Sequence, residues 1–377
     1  MATWEELLRR QHSQKIITAE CTVARPDGEG GLETTVLRLS SRALNPALCE
    51  HFWRPCLKGL PSLSQAIREP MTGQSQVSYG ELKVVIGDGR LDSYLNDWQL
   101  TGQPMTLRLG FPELAVEDFQ PIFVGRMGKW RHNDRVLTVP IQDSQADLLS
   151  CTLADGEYSG DLPTVVQTCL AAAGITDIDA DAWDLWAAEN DFAVWIKGNE
   201  RVSYLLDNLL APLACWYTFD RFGRFVVGTF KAPTEDDPQL RLVGDARLLS
   251  YDREVWEKHY WKIALKYLTQ TSPSPDYGTL TQEDSTIKTL NRLADDIERE
   301  TCLTLQADAQ VVLDRLWALF STARRVHTVT VKVEPLALGL HGQMGLSRNR
   351  FGLSGNFRAM SLDGDLVRQR AKVGLFQ

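Results

Sequence analysis

The chain has 377 residues, 44% of them hydrophobic and 24% charged, and a formal net charge of -9. Such a composition excludes wholesale disorder, and the length calls for about two to four domains. The acidic balance argues against a protein that grips nucleic-acid phosphates, though not against one past which DNA slides without sticking.

No apolar run reaches the roughly eighteen residues that a membrane span needs. The N-terminus, Met1 to Arg10, has acids and arginines where a signal peptide would have its apolar core. It reads as a short amphipathic helix with Trp4, Leu7 and Leu8 on one side, and synthesis in a cytoplasm is expected. The seven cysteines are odd in number and scattered, so the expected role of most is as small buried hydrophobes rather than a disulfide framework.

From Lys15 to Leu149 the pattern is strand-rich. Ile16 to Val23 and Glu33 to Leu39 flank a loop of turn formers, Arg25 to Gly31. Residues 40–70, with Pro46, Pro55, Pro61 and Pro70, read as an irregular excursion. Alternation returns in Gln76 to Ile86 and stops at Gly87-Asp88-Gly89. Met105 to Leu109, Ile122 to Trp130 and Val136 to Ile141 are further strands, the last two separated by the tight-turn sequence His132-Asn133-Asp134.

The character changes near Cys151. Leu162 to Ala173 predicts a helix, with Pro163 in its first turn and Gly174 past its end. Arg201 to Leu213 predicts a second, with an apolar stripe of Val202, Leu205, Leu206, Leu209 and Leu210. Cys215 to Phe219 and Arg224 to Phe230 form a hairpin. Beyond Tyr251, Tyr260 to Tyr267 alternates as a strand, and Ser272 to Asp276 is an exposed loop. Gln282 to Thr301 reads as a charged helical segment. Asp308 to Ala323 predicts a helix with Asp308 as N-cap and Arg324-Arg325 in its last turn. A strand, Thr328 to Val333, follows, and Phe357 to Met360, a turn at Asp363-Gly364 and Leu366 to Phe376 complete a hairpin.

Chemical motifs are thin. There is no Gly-x-Ser-x-Gly, Walker or His-Glu-x-x-His motif, and the Gly-Lys pair in Gly125 to Trp130 lies within a strand pattern without a following Ser or Thr. Cys49, His51 and Cys56 form the best metal-like cluster, but no further ligand pair completes four positions, so ordinary packing is expected. Asp177-Ile178-Asp179-Ala180-Asp181 begins like a calcium loop and then has Ala182 in place of the turn glycine and Ala188 at the bidentate position. A solvated acidic loop is the expectation. Basic residues gather in Arg126, Lys129 and Arg131, and again in Arg348, Arg350, Arg358, Arg368, Arg370 and Lys372. On outward strand faces they suit either solvation or an acidic partner.

The order of elements resembles the tail-tip or baseplate hub proteins of tailed bacteriophages. Tyr79-Gly80-Glu81-Leu82-Lys83-Val84 followed by Asp88-Gly89-Arg90-Leu91-Asp92 is similar to a strand and turn of that family. Gly102 to Gly110, Phe123 to Met127, Ala307 to Phe320 and the Arg350-Phe351-Gly352-Leu353-Ser354-Gly355 turn carry the rest of the likeness, with the charged segment 282–301 as a departure. The resemblance implies a β-rich α+β chain with two tube-type antiparallel β-barrel domains: 1–150, with the excursion 40–70, and 251–377, with a long helix. These flank an α+β domain at 151–250. It implies a homotrimer forming a pseudo-sixfold ring, with a tail-tube or distal-tail ring on one side and tip or fibre proteins on the other. DNA would pass through the lumen without specific binding, and the protein would sit in the tail tip of the virion.

The similar layouts of the Phe123 to Gln142 and Phe357 to Phe376 hairpins support a duplication. No catalytic residue, cofactor or metal ligand is expected. The alternatives are a tail-borne cell-wall hydrolase, with Trp183, Trp186, Trp195 and Trp216 lining a cleft, or a carbohydrate-binding adhesion module.

Overall fold

The structure is a computed structural model that describes residues 4–9, 14–58, 62–67, 79–179, 191–243, 248–256, 259–322, 324–332, 338–348, 353–365 and 370–377. Pro61 and Pro70, Asp181, Ala182, Trp183, Trp186, Ala188, Arg368 and residues 350–352 of the family-like turn lie outside them.

The N-terminal part contains helices α1 (Trp4–Arg9) and α2 (Asp92–Asp97). Its strands are β1 (Ile16–Pro26), β2 (Leu32–Ser40), β3 (Arg54–Pro55), β4 (Ser62–Ala66), β5 (Tyr79–Val85), β6 (Pro104–Gly110), β7 (Gln120–Met127), β8 (Arg131–His132) and β9 (Val136–Gln142). The middle part has α3 (Gln145–Ser150), β10 (Gly156–Asp161), α4 (Leu162–Ala172), β11 (Asp191–Ile196), α5 (Val202–Leu210), β12 (Cys215–Phe219) and β13 (Phe225–Thr229). The rest comprises β14 (Leu240–Val243), β15 (Ser250–Trp256), β16 (Tyr260–Gln270), β17 (Asp276–Glu283), α6 (Ser285–Leu290), β18 (Asp295–Glu300), α7 (Gln306–Phe320), β19 (Arg324–Lys332), β20 (Gln343–Arg348), β21 (Leu353–Asp365) and β22 (Arg370–Phe376). The chain is a β-rich α+β protein with several sheets.

In the first sheet the order is β3-β2-β1-β6-β7-β9-β5, with β8 on β9. Alternation sets its faces: in β6, Met105, Leu107 and Leu109 are buried, and in β9, Leu137, Val139 and Ile141. The two ends of this path meet through residues 54–58, where Leu57 N donates to Ser40 O at 3.0 Å, and Val85 N donates to Cys56 O at 2.7 Å. The amphipathic reading of the N-terminus holds: Trp4, Leu7 and Leu8 enter this core, and Trp4 Nε1 donates to Leu109 O at 2.8 Å.

The C-terminal sheet runs β14-β20-β21-β22-β19-β15 and takes in β4, which pairs with β21 from Ser361 opposite Ala66 to Asp365 opposite Ser62. Residues 62–66, read from sequence as irregular, are therefore a strand, and one that belongs to the distant sheet. Pro61 and Pro70 frame it, and its five residues alternate too briefly to announce a partner three hundred residues away. The reversal expected at Asp363-Gly364 is also corrected. Both residues are in β21, opposite Lys372 and Ala371, and the pairing runs on past them to Asp365 opposite Arg370. An Asp-Gly pair is a turn former only where the backbone is free to leave the ladder; here strands flank it on both sides.

The middle core gathers α3, α4, α5, the β12–β13 hairpin and a three-stranded sheet, β17-β16-β18. Asp161 caps α4 by accepting from Thr164 N at 2.7 Å, and Gly174 beyond the helix has φ +72°. Helix α7 buries Val312, Leu313, Leu316, Leu319 and Phe320 in this same core. Its N-cap is Leu305 and Asp308 lies in the first turn, one correction to the sequence reading; another is that Arg324 opens β19. Arg324 nonetheless serves the helix end, its guanidinium donating to Leu319 O at 3.2 Å and Ala318 O at 3.1 Å. Residues 282–301 are helical only at α6; Asp295–Glu300 is a strand parallel to β16, with Ile297 the half-buried apolar position between exposed acids.

Candidate functional site

The sequence candidates for chemistry are not brought together. Gly125 is in β7 and Lys129 follows it, exposed. His51 is exposed, whereas Cys56 faces the core beside Cys21. Burial pushes the Cys56 thiol up to about 11 and the Cys21 thiol up to about 12, the latter aided by Cys56 and Glu20. Such thiols stay protonated and poor as ligands. Among the described residues no three His, Cys, Asp or Glu gather into a set that could hold a metal ion, and no helix is long and apolar enough to cross a membrane. Trp195 stands on β11 opposite Glu157, while Trp216 is buried in β12, so these two do not line one cleft.

Asp177 and Asp179 of the calcium-like run serve the backbone instead. Asp177 O accepts from Phe225 N and Asp179 N donates to Phe225 O, both at 2.9 Å, adding a short parallel bridge to β13. Arg224 Nη2 then lies 2.7 Å from both Asp179 and Asp220. Asp220 also accepts from the backbone N–H of Phe222 and Arg224, closing the hairpin turn. These two carboxylates are structural acceptors that share one guanidinium, and the bond to Asp220 raises the Arg224 pKa further.

They border a cavity of about 390 Å³ where the three parts meet. Leu63 and Gln65 of β4, Ile122 and Phe123 of β7, Trp216 and Val226 of the hairpin, Leu362 of β21, and Leu340 before β20 form its walls. Arg221 lines it too, with its guanidinium 4.6 Å above the Phe222 ring and 5.4 Å from Trp4. Behind it, His341 packs 5.6 Å from Trp216 and 5.1 Å from Phe230, and its Nε2 accepts from Lys231 N at 3.1 Å. Burial, then the cations of Arg358 and Lys231, pull the His341 pKa down to about 3.

Segment 62–67 is the junction's centre. Leu63 belongs to the N-terminal core, Ile67 to the middle core, and its backbone to the C-terminal sheet, where Ile67 N donates to Met360 O at 2.8 Å. Gln65 Nε2 adds a bond to Phe219 O at 3.1 Å.

The larger relationship is a repeat. Four strands in chain order, β5, β6, β7 and β9, stand side by side as β6-β7-β9-β5; β19, β20, β21 and β22 stand as β20-β21-β22-β19. Every contact along both rows is antiparallel, a Greek-key arrangement. The registers agree as well. Tyr79–Val85 lies opposite Gln142–Val136, and Val326–Lys332 opposite Phe376–Arg370. One constant offset carries Arg126, Met127, Arg131 and His132 onto Arg358, Ala359, Asp363 and Gly364; another carries their partners Gln142, Ile141, Thr138 and Leu137 onto Phe376, Leu375, Lys372 and Ala371. Both hairpins hold one extra residue on the first strand, at the same place.

Comparison with solved structures gives matches that span nearly the whole chain, tail proteins among them. The 43 kDa tail protein of prophage MuSo2 from Shewanella oneidensis superposes with a TM-score of 0.55 at 13% identity, covering 96% of this chain and 98% of that one. A tail protein from Neisseria meningitidis gives 0.57 at 12% identity, covering 96% of both. The fold is that of phage tail proteins. Prophage tail protein gp18 from Listeria monocytogenes agrees, with 0.51 at 9% identity over 95% of this chain and 94% of that one. No protein-family model matches this tail-protein-like chain, and no curated protein sequence matches it.

Sequence reasoning had the two related hairpins, but paired Phe123 with Phe357, whereas the registers match Arg126 with Arg358. It missed β4 and with it the junction. The buried leucine of Ser62-Leu63-Ser64-Gln65-Ala66-Ile67 and its alternation were the available signal.

Proposed function

We propose that the chain is a structural protein of a phage tail, a tail-tip or baseplate hub without catalytic residues, cofactor or metal. In this reading two tube-type β-barrel modules, 1–150 and 251–377, flank an α+β module, 151–250, with β4 lent to the second barrel and α7 packed on the middle core. Three copies close into a pseudo-sixfold ring joining the tail tube, or a distal-tail ring, to the receptor-binding tip or fibre proteins. The repeat of one four-strand unit, register for register, in a chain with a tail-protein fold is the observation that carries it. Two like modules per chain let three copies meet a sixfold partner with closed symmetry. The meeting of the first sheet's ends through residues 54–58 supports a barrel there, and a net charge of -9 suits a lumen along which DNA slides.

Light scattering and electron microscopy of the purified chain test this: trimers with a central opening are expected, and labelling of particles should mark the tail axis at the tip of the virion. A chain that remains monomeric in assembled tails, or a location off the axis, would sink the proposal. Against the hydrolase alternative, Trp195 and Trp216 do not line one cleft, and the Asp179–Asp220 pair is engaged by Arg224. Clearing of cell wall in a zymogram by the purified protein would revive it, and binding on a glycan array would favour the adhesion module.

A further inference from the structure

The two copies of the four-strand unit differ at one edge. In the C-terminal copy β21 outruns β20: Leu353–Arg358 pair with β20, and Ser361–Asp365 pair with β4, which continues the same edge. The matched stretch of the N-terminal copy is 129–133, around β8. There β6 stops opposite Arg126, and among the described residues no strand stands where β4 would be and β8 pairs with β9 alone. Lys129, Arg131, His132 and Asn133 are exposed, whereas Leu362 under β4 is 3% exposed. A row of unpaired backbone N–H and C=O groups is a template for another strand. The other half of the chain displays the occupant that such an edge accepts, an extended segment of about five residues.

The edge is basic. Lys129, Arg131, His132 and Arg135 stand against Asp134 and against Glu81, which pairs with Arg131 at 3.1 Å. A strand docking there gains from carboxylates. Strand β18 has the matching chemistry: Asp295, Asp296, Glu298 and Glu300 within six residues, paired with β16 on one side and with no strand on the other among the described residues. Lys266 contacts Glu298 and Glu300, leaving the Asp295–Asp296 end the more acidic. Strands β8 and β18 are different surfaces of the chain, in separate sheets, so a pairing of one with the other between copies is head-to-tail in kind, the kind that generates rings.

We propose that the open edge at β8 is completed in the oligomer by the acidic strand β18 of a neighbouring copy. This rests on the oligomeric reading above, and the experiment separates the two. A photo-crosslinking amino acid is placed at His132 of the full chain, the sample is sized by light scattering and irradiated, and cross-linked peptides are mapped by mass spectrometry. An intermolecular cross-link within 295–300 is expected. An oligomer whose cross-links fall elsewhere overturns this inference and leaves the oligomeric reading standing; a chain that stays monomeric overturns both. Charge supplies a second arm: Lys129→Glu with Arg131→Glu should weaken self-association roughly tenfold or more, and Asp295→Lys with Asp296→Lys should restore it. All four sites are exposed, so folding is retained and checked by circular dichroism. Unchanged association, or no restoration by the swap, counts against the pairing.

Discussion

The backbone N–H of Lys231 donates to Nε2 of His341 across 3.1 Å, and this bond fixes the charge state of the ring. An Nε2 that accepts carries no proton, so the imidazole is neutral with its hydrogen on Nδ1. The cations of Arg358 and Lys231 oppose a second proton, as does burial. In the unfolded chain the same residue titrates near 6.5. The folded pKa is the lower of the two, so the unfolded state binds more protons between them, and stability rises with pH across that window. The contribution is full above about 6.5 and is lost progressively as pH falls towards about 3. Denaturant melts at pH 7 and pH 4.5 should show the loss, and His341→Asn should flatten it. Asparagine tolerates the φ of 61° at this position. An unchanged pH slope in the variant would exclude His341 as the source.

Ile67→Ala should cost about 2–5 kcal/mol, the usual range for truncating a buried aliphatic side chain. More tellingly, hydrogen exchange should rise in Ser361–Asp365, because the strand that covers them is anchored by this residue. Exchange confined to residues 62–67 would mean that β4 does not hold the C-terminal sheet.

Gly125 sits in β7 where an added Cβ would overlap the Gln142 carbonyl oxygen and the Phe123 ring. The oxygen is backbone and cannot swing aside. Gly125→Ala is therefore expected to destabilise by about 1–3 kcal/mol or more, read from chemical denaturation. Gly102→Ala is the comparison: nothing lies near its Cβ position, and only the φ of +82° opposes it.

Arg224→Met keeps the aliphatic stem and removes the charge shared by Asp179 and Asp220. The side chains are partly exposed, so a loss of about 1–2 kcal/mol is expected, smaller at high salt. Nuclear magnetic resonance should show residues 177–179 loosening from β13, since the backbone bonds to Phe225 alone remain.

Helices α1, α4, α5 and α7 and the longer first-sheet strands were legible because each signal was local, whereas the six-residue helices α2 and α3 were too short to show a period. The stripe Val312, Leu313, Leu316, Leu319 and Phe320 specifies α7 whatever it packs on, and Leu162-Pro163 after Asp161 specifies the start of α4. What α7 packs on was not legible, for its apolar face suits either neighbouring core. Asp363-Gly364 misled because turn propensity yields when strands claim both edges. Segment 295–300 misled because five of its six residues are charged, and a strand needs only Ile297 to face inward. The repeat itself escaped composition. Arg126 and Arg358 match by register, while Met127 stands where the other copy has Ala359, and equal hydrogen bonding does not require equal side chains.

Because β4 finishes a sheet whose other strands come some two hundred to three hundred residues later, no single cut divides the chain cleanly. A fragment ending anywhere between Ile67 and β21 carries away the piece that seals the remainder. Two such fragments made together form a natural complementation pair, each exposing what the other covers, and joining them through β4 would report whether nicked chains can still be built into a tail.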